Sequence, residues 1–145
     1  NTVDEVLKLS QKIRCLFIYH VQTYDALCKY GLWEKISNNE NISIVKRLPY
    51  CEFVNCVYHS EFVVADGCGN QQEFYYLGKP YLIMRTEVEE DSEGLGWNAV
   101  YFKNDFSEIS RFYDRYHDYV KPQVKPDVLP SEIIVNELKE YFREM

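Results

Sequence analysis

The stretch Asp66-Gly67-Cys68-Gly69-Asn70-Gln71-Gln72-Glu73 decides how the rest of this 145-residue chain is read. The apolar run Phe62-Val63-Val64-Ala65 leads into it. A short helical segment, Gln71 to Leu77, leads out and stops at Gly78-Lys79-Pro80, and a second apolar run, Tyr81-Leu82-Ile83-Met84, follows at once. The order is strand, glycine turn, short helix, strand. Glycines at such a turn let the backbone bend tightly and let a ligand approach its N–H groups. A helix that starts there aims its unpaired N–H groups at the turn, which suits a phosphate. The same residues have a plainer reading. Asn70 and Glu73 have the spacing of an N-cap and its N3 partner, and Gly78 before Pro80 is an ordinary helix stop. The pattern is neither a full G-x-G-x-x-G nor a P-loop.

Outward from this stretch, strand and helix signals alternate. Thr2 with Glu5 has capping-box spacing, and Val3, Val6, Leu7 and Ile13 recur near the helical period. Cys15 to Tyr19 reads as a buried strand ending at His20, and Thr23 as the cap of a second helix with Tyr24, Leu27, Cys28 and Leu32 on its apolar side. After the polar turn 37–41, Ile42 to Val45 is the next strand, and Pro49 opens a helix whose apolar face is Tyr50, Phe53, Val54 and Val57. Glu87, Glu89, Glu90, Asp91 and Glu93 form an acidic loop, read first as solvated. Asn98 to Phe102 is a last strand, and Asp105 with Glu108 starts a helix carrying Phe106, Ile109, Phe112, Tyr113 and Tyr116. Residues 121–130 hold three prolines and read as an extended connector to a C-terminal helix capped by Ser131, with Ile134, Leu138, Tyr141 and Phe142 as its stripe. Alternation of this kind predicts an α/β fold, a Rossmann-like parallel sheet with helices on both faces. Ligands in such sheets bind beyond the carboxyl ends of the strands, here near His20, Lys46, Asp66, Arg85 and Lys103.

Composition narrows the function classes. Sixteen Lys and Arg face 23 Asp and Glu, a net charge of −7, with the cations scattered. That balance argues against nucleic acid and anionic membrane as partners. No apolar run is long enough to span a bilayer, and the N-terminus has no signal-peptide pattern. Five cysteines without a C-x-x-C pair, lying inside predicted elements, suit reduced and mostly buried thiols in a cytoplasm. The three histidines have no zinc-ligand spacing, so neither a metal nor a cofactor is expected.

The central motif, followed by Leu77-Gly78-Lys79-Pro80-Tyr81-Leu82-Ile83-Met84-Arg85, resembles the C-terminal domain of the UDP-N-acetylglucosamine 2-epimerases. That family reads D-S-G-G-I-Q-E-E, a short helix, then L-G-K-P-V-L-V-M-R. The fit runs without gaps from about Asn41 to Arg85, and the segment Leu16 to Thr23, with His20, is similar to the family's strand bearing H-x-N. The resemblance implies the C-terminal half of a GT-B-type fold, with residues 1–145 a single, partial nucleotide-binding domain. Glu73 then falls on the glutamate that binds the ribose hydroxyls, a task suited to a carboxylate that accepts from both hydroxyls of a diol. Phe53 falls on an aromatic against the uracil, and Gly67, Cys68 and Gly69 on the turn that meets the diphosphate. His20, Asp66 and Arg85 would support the site. Core packing for Phe53, a sheet-edge role for His20 and a capping role for Glu73 are the alternatives.

Several positions depart from the family. Its serine is Gly67, one glycine is Cys68, its first glutamate is Gln72, and an arginine after Arg85 is replaced by Glu90. The resemblance also implies that the first domain, with its proton-moving carboxylates, and an H-R-R-E-N stretch with the catalytic histidine lie upstream of Asn1. On that reading this piece carries no catalytic residue and is inactive alone. The intact protein is an isomerase that eliminates UDP from a UDP-sugar and re-adds it with C2 inverted, or hydrolyses it, in polysaccharide synthesis. Its partners would be the UDP-sugar, the missing N-terminal domain and, through an exposed sheet edge, a second copy as a homodimer. The competing functions are the nucleotide-binding half of a GT-B glycosyltransferase, a non-catalytic sugar-nucleotide module, and a thiol enzyme using Cys68.

Overall fold

Helix and strand alternate along the chain, as the turn signals between the apolar runs require. A computed structural model describes residues 2–66, 69–85, 94–103 and 105–143. Over these the order is α1 (Thr2–Ser10), β1 (Cys15–Tyr19), α2 (Val21–Lys29), α3 (Trp33–Ser37), β2 (Ile42–Lys46), α4 (Tyr50–His59) and β3 (Val63–Ala65). Then come α5 (Gln71–Tyr76), β4 (Tyr81–Ile83), β5 (Ala99–Tyr101), α6 (Ser107–Arg115), a 3-10 helix (Tyr116–Tyr119) and α7 (Pro130–Arg143). The acidic stretch 87–93 lies outside the described residues, as do Gly67 and Cys68.

Every ladder is parallel. β1 pairs with β2, Cys15 opposite Ile42 through Tyr19 opposite Lys46. β4 lies between β3 and β5, with Tyr81 opposite both Val63 and Ala99. The two groups form separate sheets, β1-β2 and β3-β4-β5, where the sequence predicts one. Among the described residues, β1 and β3 therefore each keep one unpaired edge.

Successive residues of a strand point to opposite faces, and β4 uses both. Tyr81 and Ile83 pack with Val57 of α4 and Phe74 of α5, while Leu82 packs with Leu9 of α1 and with Ile109 and Phe112 of α6. All three β4 residues are buried, so this strand is the centre of the larger sheet. On the smaller sheet Ile42 packs with Leu27 of α2 and Ile36 of α3, flanked by Val3, Val6 and Leu7 of α1. α1 thus touches both cores. The other face of β1 is open enough to leave Leu16 45% exposed.

The L-G-K-P segment is architectural. Gly78 has a left-handed φ of +63°, and a Cβ there would sit 2.1 Å from the Lys121 carbonyl oxygen. Lys121 N–H donates to the Gly78 carbonyl (3.0 Å), and Val124 N–H to that of Tyr76 (2.9 Å), so the proline-rich connector is strapped across the end of α5. Lys79 Nζ donates to the carbonyls of Tyr58 and Ser60 at the C-terminus of α4, where a cation is favoured. Buried Asn98 donates its amide to the carbonyls of Phe74 and Lys79, both 3.0 Å away, fixing the start of β5 to the end of α5.

Local departures have local causes. Gly31, at φ +65°, divides the predicted second helix into α2 and α3, and α2 starts at Val21 after His20 rather than at Thr23. Glu5 accepts from Lys8 at 2.6 Å within the first turns of α1. The described cysteines are free, but Cys28 and Cys51 are exposed, so the thiols are not mostly buried. α7 forms, yet no residue of it is buried, and Ile134, Leu138, Tyr141 and Phe142 stand 51–66% exposed. Its stripe covers no core here.

At the start of α6 the Asp105 carboxylate accepts from Ser107 N–H (2.9 Å) and from Ser107 Oγ and Arg111. Those bonds hold its pKa down at about 2. A lowered folded-state value means that support for α6 is complete above the unfolded carboxylate pKa and fades as pH falls through the folded value. Amide exchange in the first turn of α6 should therefore quicken between about pH 4 and pH 2, and Asp105→Asn should remove that acid dependence.

Candidate functional site

α4 follows the carboxyl end of β2, and α5 follows that of β3, so the first turns of both helices stand on the rim where parallel sheets bind ligands. Between them lies a cavity of about 310 Å³, lined by Tyr50 and Val54 of α4 and by Gln72, Glu73, Tyr76 and Leu77. Five of the six had not been singled out from the sequence as site residues. The rim rule would have flagged Tyr50 and Val54, which fall in the first turns after a strand end.

Glu73 is half-buried, and its Oε2 is buried without a hydrogen-bond partner. Asn70, at the N-cap of α5, makes no side-chain capping bond. The capping alternative therefore loses its support, and a carboxylate oxygen is left wanting a donor. Burying such an acceptor unpaired is costly, so a hydroxyl entering the cavity would find it ready. Burial first, then the negative charge of Glu73 and hydrogen bonding to it, push the Tyr50 hydroxyl's pKa up.

At the glycine turn, a Cβ built on Gly69 would meet nothing within 4 Å. The described part of the turn faces open space, not packed side chains. Arg85, just past β4, donates its Nε to the Asp66 carbonyl at 2.6 Å, tying the ends of β3 and β4 together where the turn begins. Phe53 points elsewhere. It packs on the core beside Val57, with its ring 6.3 Å from that of Phe74, because residues four apart share a helix face. Tyr50 and Val54 share the face that lines the cavity. His20 is exposed at the N-cap of α2 without a side-chain capping bond.

A second cavity of about 200 Å³ lies between Val100 of β5 and α6. Its arginines, Arg111 and Arg115, are already paired with Asp105, Glu108 and Asp118. Among the described residues no group of three potential ligands could hold a metal, and no helix is long and apolar enough to cross a membrane.

The sequence profile of the family described as UDP-N-acetylglucosamine 2-epimerase matches residues 1–119. The chain belongs to this family. A UDP-N-acetylglucosamine 2-epimerase homolog of Methanococcus maripaludis is 29% identical over 116 residues, 77% of this chain and 32% of that protein. A UDP-N-acetylglucosamine 2-epimerase of Campylobacter jejuni is 40% identical over 52 residues, 36% of this chain and 14% of its own length. Among solved structures, the Methanocaldococcus jannaschii UDP-GlcNAc 2-epimerase in complex with UDP-GlcNAc and UDP superposes with a TM-score of 0.75 at 20% identity, covering 96% of this chain and 39% of that one. That likeness establishes the α/β fold of this chain as one part of a GT-B-type structure. The chain thus spans about a third of the length of the first of these relatives.

Proposed function

We propose that this chain is the UDP-binding half of a UDP-N-acetylglucosamine 2-epimerase that works in the cytoplasm, where the free thiols would persist. The observation that carries the reading is Glu73: a carboxylate on the ligand-binding rim, in a cavity of about 310 Å³, with one oxygen buried and unpaired. In this reading Glu73 accepts from the ribose hydroxyls and the turn Gly67, Cys68, Gly69 receives the diphosphate. α5 has only six residues, so the turn's own N–H groups carry more of that task than a helix dipole. Arg85 and Asp66 brace the turn. The position of Phe53 against Phe74 favours a packing role for it, with Tyr50 as the aromatic on the cavity.

In the epimerase this half would hold UDP in place while the bond to the sugar breaks, and offer fixed donors to the leaving diphosphate. The departures at Gly67, Cys68 and Glu90 remove a hydroxyl, add bulk and add negative charge, so weaker UDP binding than in relatives with the full motif is expected. Glu73→Ala should weaken UDP by about 1–3 kcal/mol, the worth of hydrogen bonds to a charged group, read by calorimetry. With the complete polypeptide and UDP-N-acetylglucosamine in heavy water, deuterium should enter at C2. Tight UDP binding without C2 exchange would instead favour a transferase or a non-catalytic module.

The rest of that polypeptide has places to attach. α1 leads into β1, and a helix that precedes a parallel strand is normally a right-handed crossover from a neighbouring strand. β2 occupies one side of β1, which leaves the free side, the side where Cys15 packs in both cores. One further parallel strand there would join the two sheets between β1 and β3. The uncovered stripe of α7 is a second seat. Amides of β1 and β3 should exchange at least about tenfold faster in this chain alone than in the complete polypeptide. Equal protection in both would reject the added strand.

A further inference from the structure

We infer that Tyr50 is a positioning residue for the nucleotide's pentose: from the first turn of α4 its hydroxyl donates to the Glu73 carboxylate and fixes the direction in which that carboxylate meets the ribose diol. The inference rests on the ribose reading of Glu73 and extends it to a residue that the motif around Asp66 does not contain. Tyr50 and Glu73 line the same cavity from different helices. Glu73 has no capping duty to orient it, since Asn70 makes no capping bond, and its Oε2 has no partner. A carboxylate so placed lacks a bond to that oxygen that would fix its direction, and a hydrogen bond from the neighbouring helix would supply one.

Tyr50 is well suited to give that bond. Burial raises the pKa of its hydroxyl first, and the nearby Glu73 carboxylate raises it further. Pro49, with a φ of −55°, sets the backbone entry into α4 just before Tyr50. With 62% of its surface exposed, Tyr50 has no core to serve, so its loss should not unfold the chain. An acceptor oriented before the ligand arrives binds better because less freedom is lost on binding.

The test uses the complete polypeptide and two probes, UDP and 2′,3′-dideoxy-UDP, measured by calorimetry on wild type, Tyr50→Phe, Tyr50→Ala, Glu73→Gln and the Tyr50→Phe/Glu73→Gln pair. Tyr50→Phe should weaken UDP about five- to tenfold and the dideoxy nucleotide less than about twofold. The effect should vanish in the Glu73→Gln background, the signature of coupling. Equal loss for both probes, or a loss that persists without Glu73, would overturn the positioning role. So would a Tyr50→Phe variant that binds like wild type while Tyr50→Ala fails, since the ring alone would then matter. If Glu73→Gln does not discriminate between the two probes, the ribose reading itself falls. If it does and Tyr50→Phe does not, only the present inference falls.

Discussion

Replacing Asn98 by alanine should cost the chain about 2–4 kcal/mol of stability, from the loss of two buried hydrogen bonds. Asn98 has no exposed surface, and its one amide nitrogen donates to Phe74 O and Lys79 O, each at 3.0 Å. The first carbonyl belongs to α5 and also accepts the Lys79 N–H at 2.9 Å; the second belongs to the loop behind the helix. Asparagine serves because one nitrogen carries two hydrogens. Truncation leaves the Lys79 carbonyl without its donor, at about 1–3 kcal/mol for a buried unpaired group, while Phe74 O keeps the Lys79 N–H at 2.9 Å. Part is returned, because Asn98 Oδ1 is itself buried and unpaired. Asn98→Asp should be worse at neutral pH, since its carboxylate would face two carbonyl oxygens with no proton to offer. Urea unfolding at pH 7 measures both. A loss under about 1 kcal/mol for alanine would mean that water takes over the Lys79 carbonyl.

How much of this was legible in the sequence depended on whether the signal was local. β1 and β2 are apolar runs between polar turns, and their bounds at Cys15–Tyr19 and Ile42–Lys46 follow from those runs almost to the residue. Gly31 was the signal for the division between α2 and α3, but a lone glycine in a helical pattern is ambiguous until its φ of +65° is known. The stripe of α7 was read correctly as apolar. What it packs against is a tertiary fact, and among the described residues nothing buries it. The capping box at Asn70 and Glu73 had the right spacing and did not form, because spacing does not say where a carboxylate turns. Tyr50 stood in plain view beside Pro49, yet only the approach of α4 to α5 gives it Glu73 as a neighbour.

The same contrast explains L-G-K-P, which in sequence looks like part of a nucleotide motif. The lysine caps α4, and Asn98 holds the lysine's carbonyl. Its role is to stop α5 sharply and send the chain into β4, so that Glu73 stays on the rim. The residues that carry the resemblance after Leu77 mostly build a frame around Glu73.

Gly78→Ala should cost about 2–5 kcal/mol by urea unfolding, with two separable causes. A left-handed φ of +63° costs any residue with a Cβ about 1–2 kcal/mol. The added carbon would then lie 2.1 Å from Lys121 O and 2.8 Å from Pro122 O, both backbone atoms that cannot rotate away. Forcing atoms into a packed region adds about 1–3 kcal/mol. Gly31 supplies the internal control: its φ is +65°, but a Cβ there meets nothing within 4 Å. Gly31→Ala should therefore show the conformational cost alone, about 1–2 kcal/mol, and the difference between the variants reads the clash. The clash also has a functional address, because it pushes away the connector that bonds to Gly78 and Tyr76. Tyr76 and Leu77 line the cavity beside Glu73. On the proposed function, Gly78→Ala should thus weaken UDP while Gly31→Ala leaves it unchanged. Equal destabilisation by the two would mean that the strap yields freely and that backbone geometry, not the connector, is what the glycine serves.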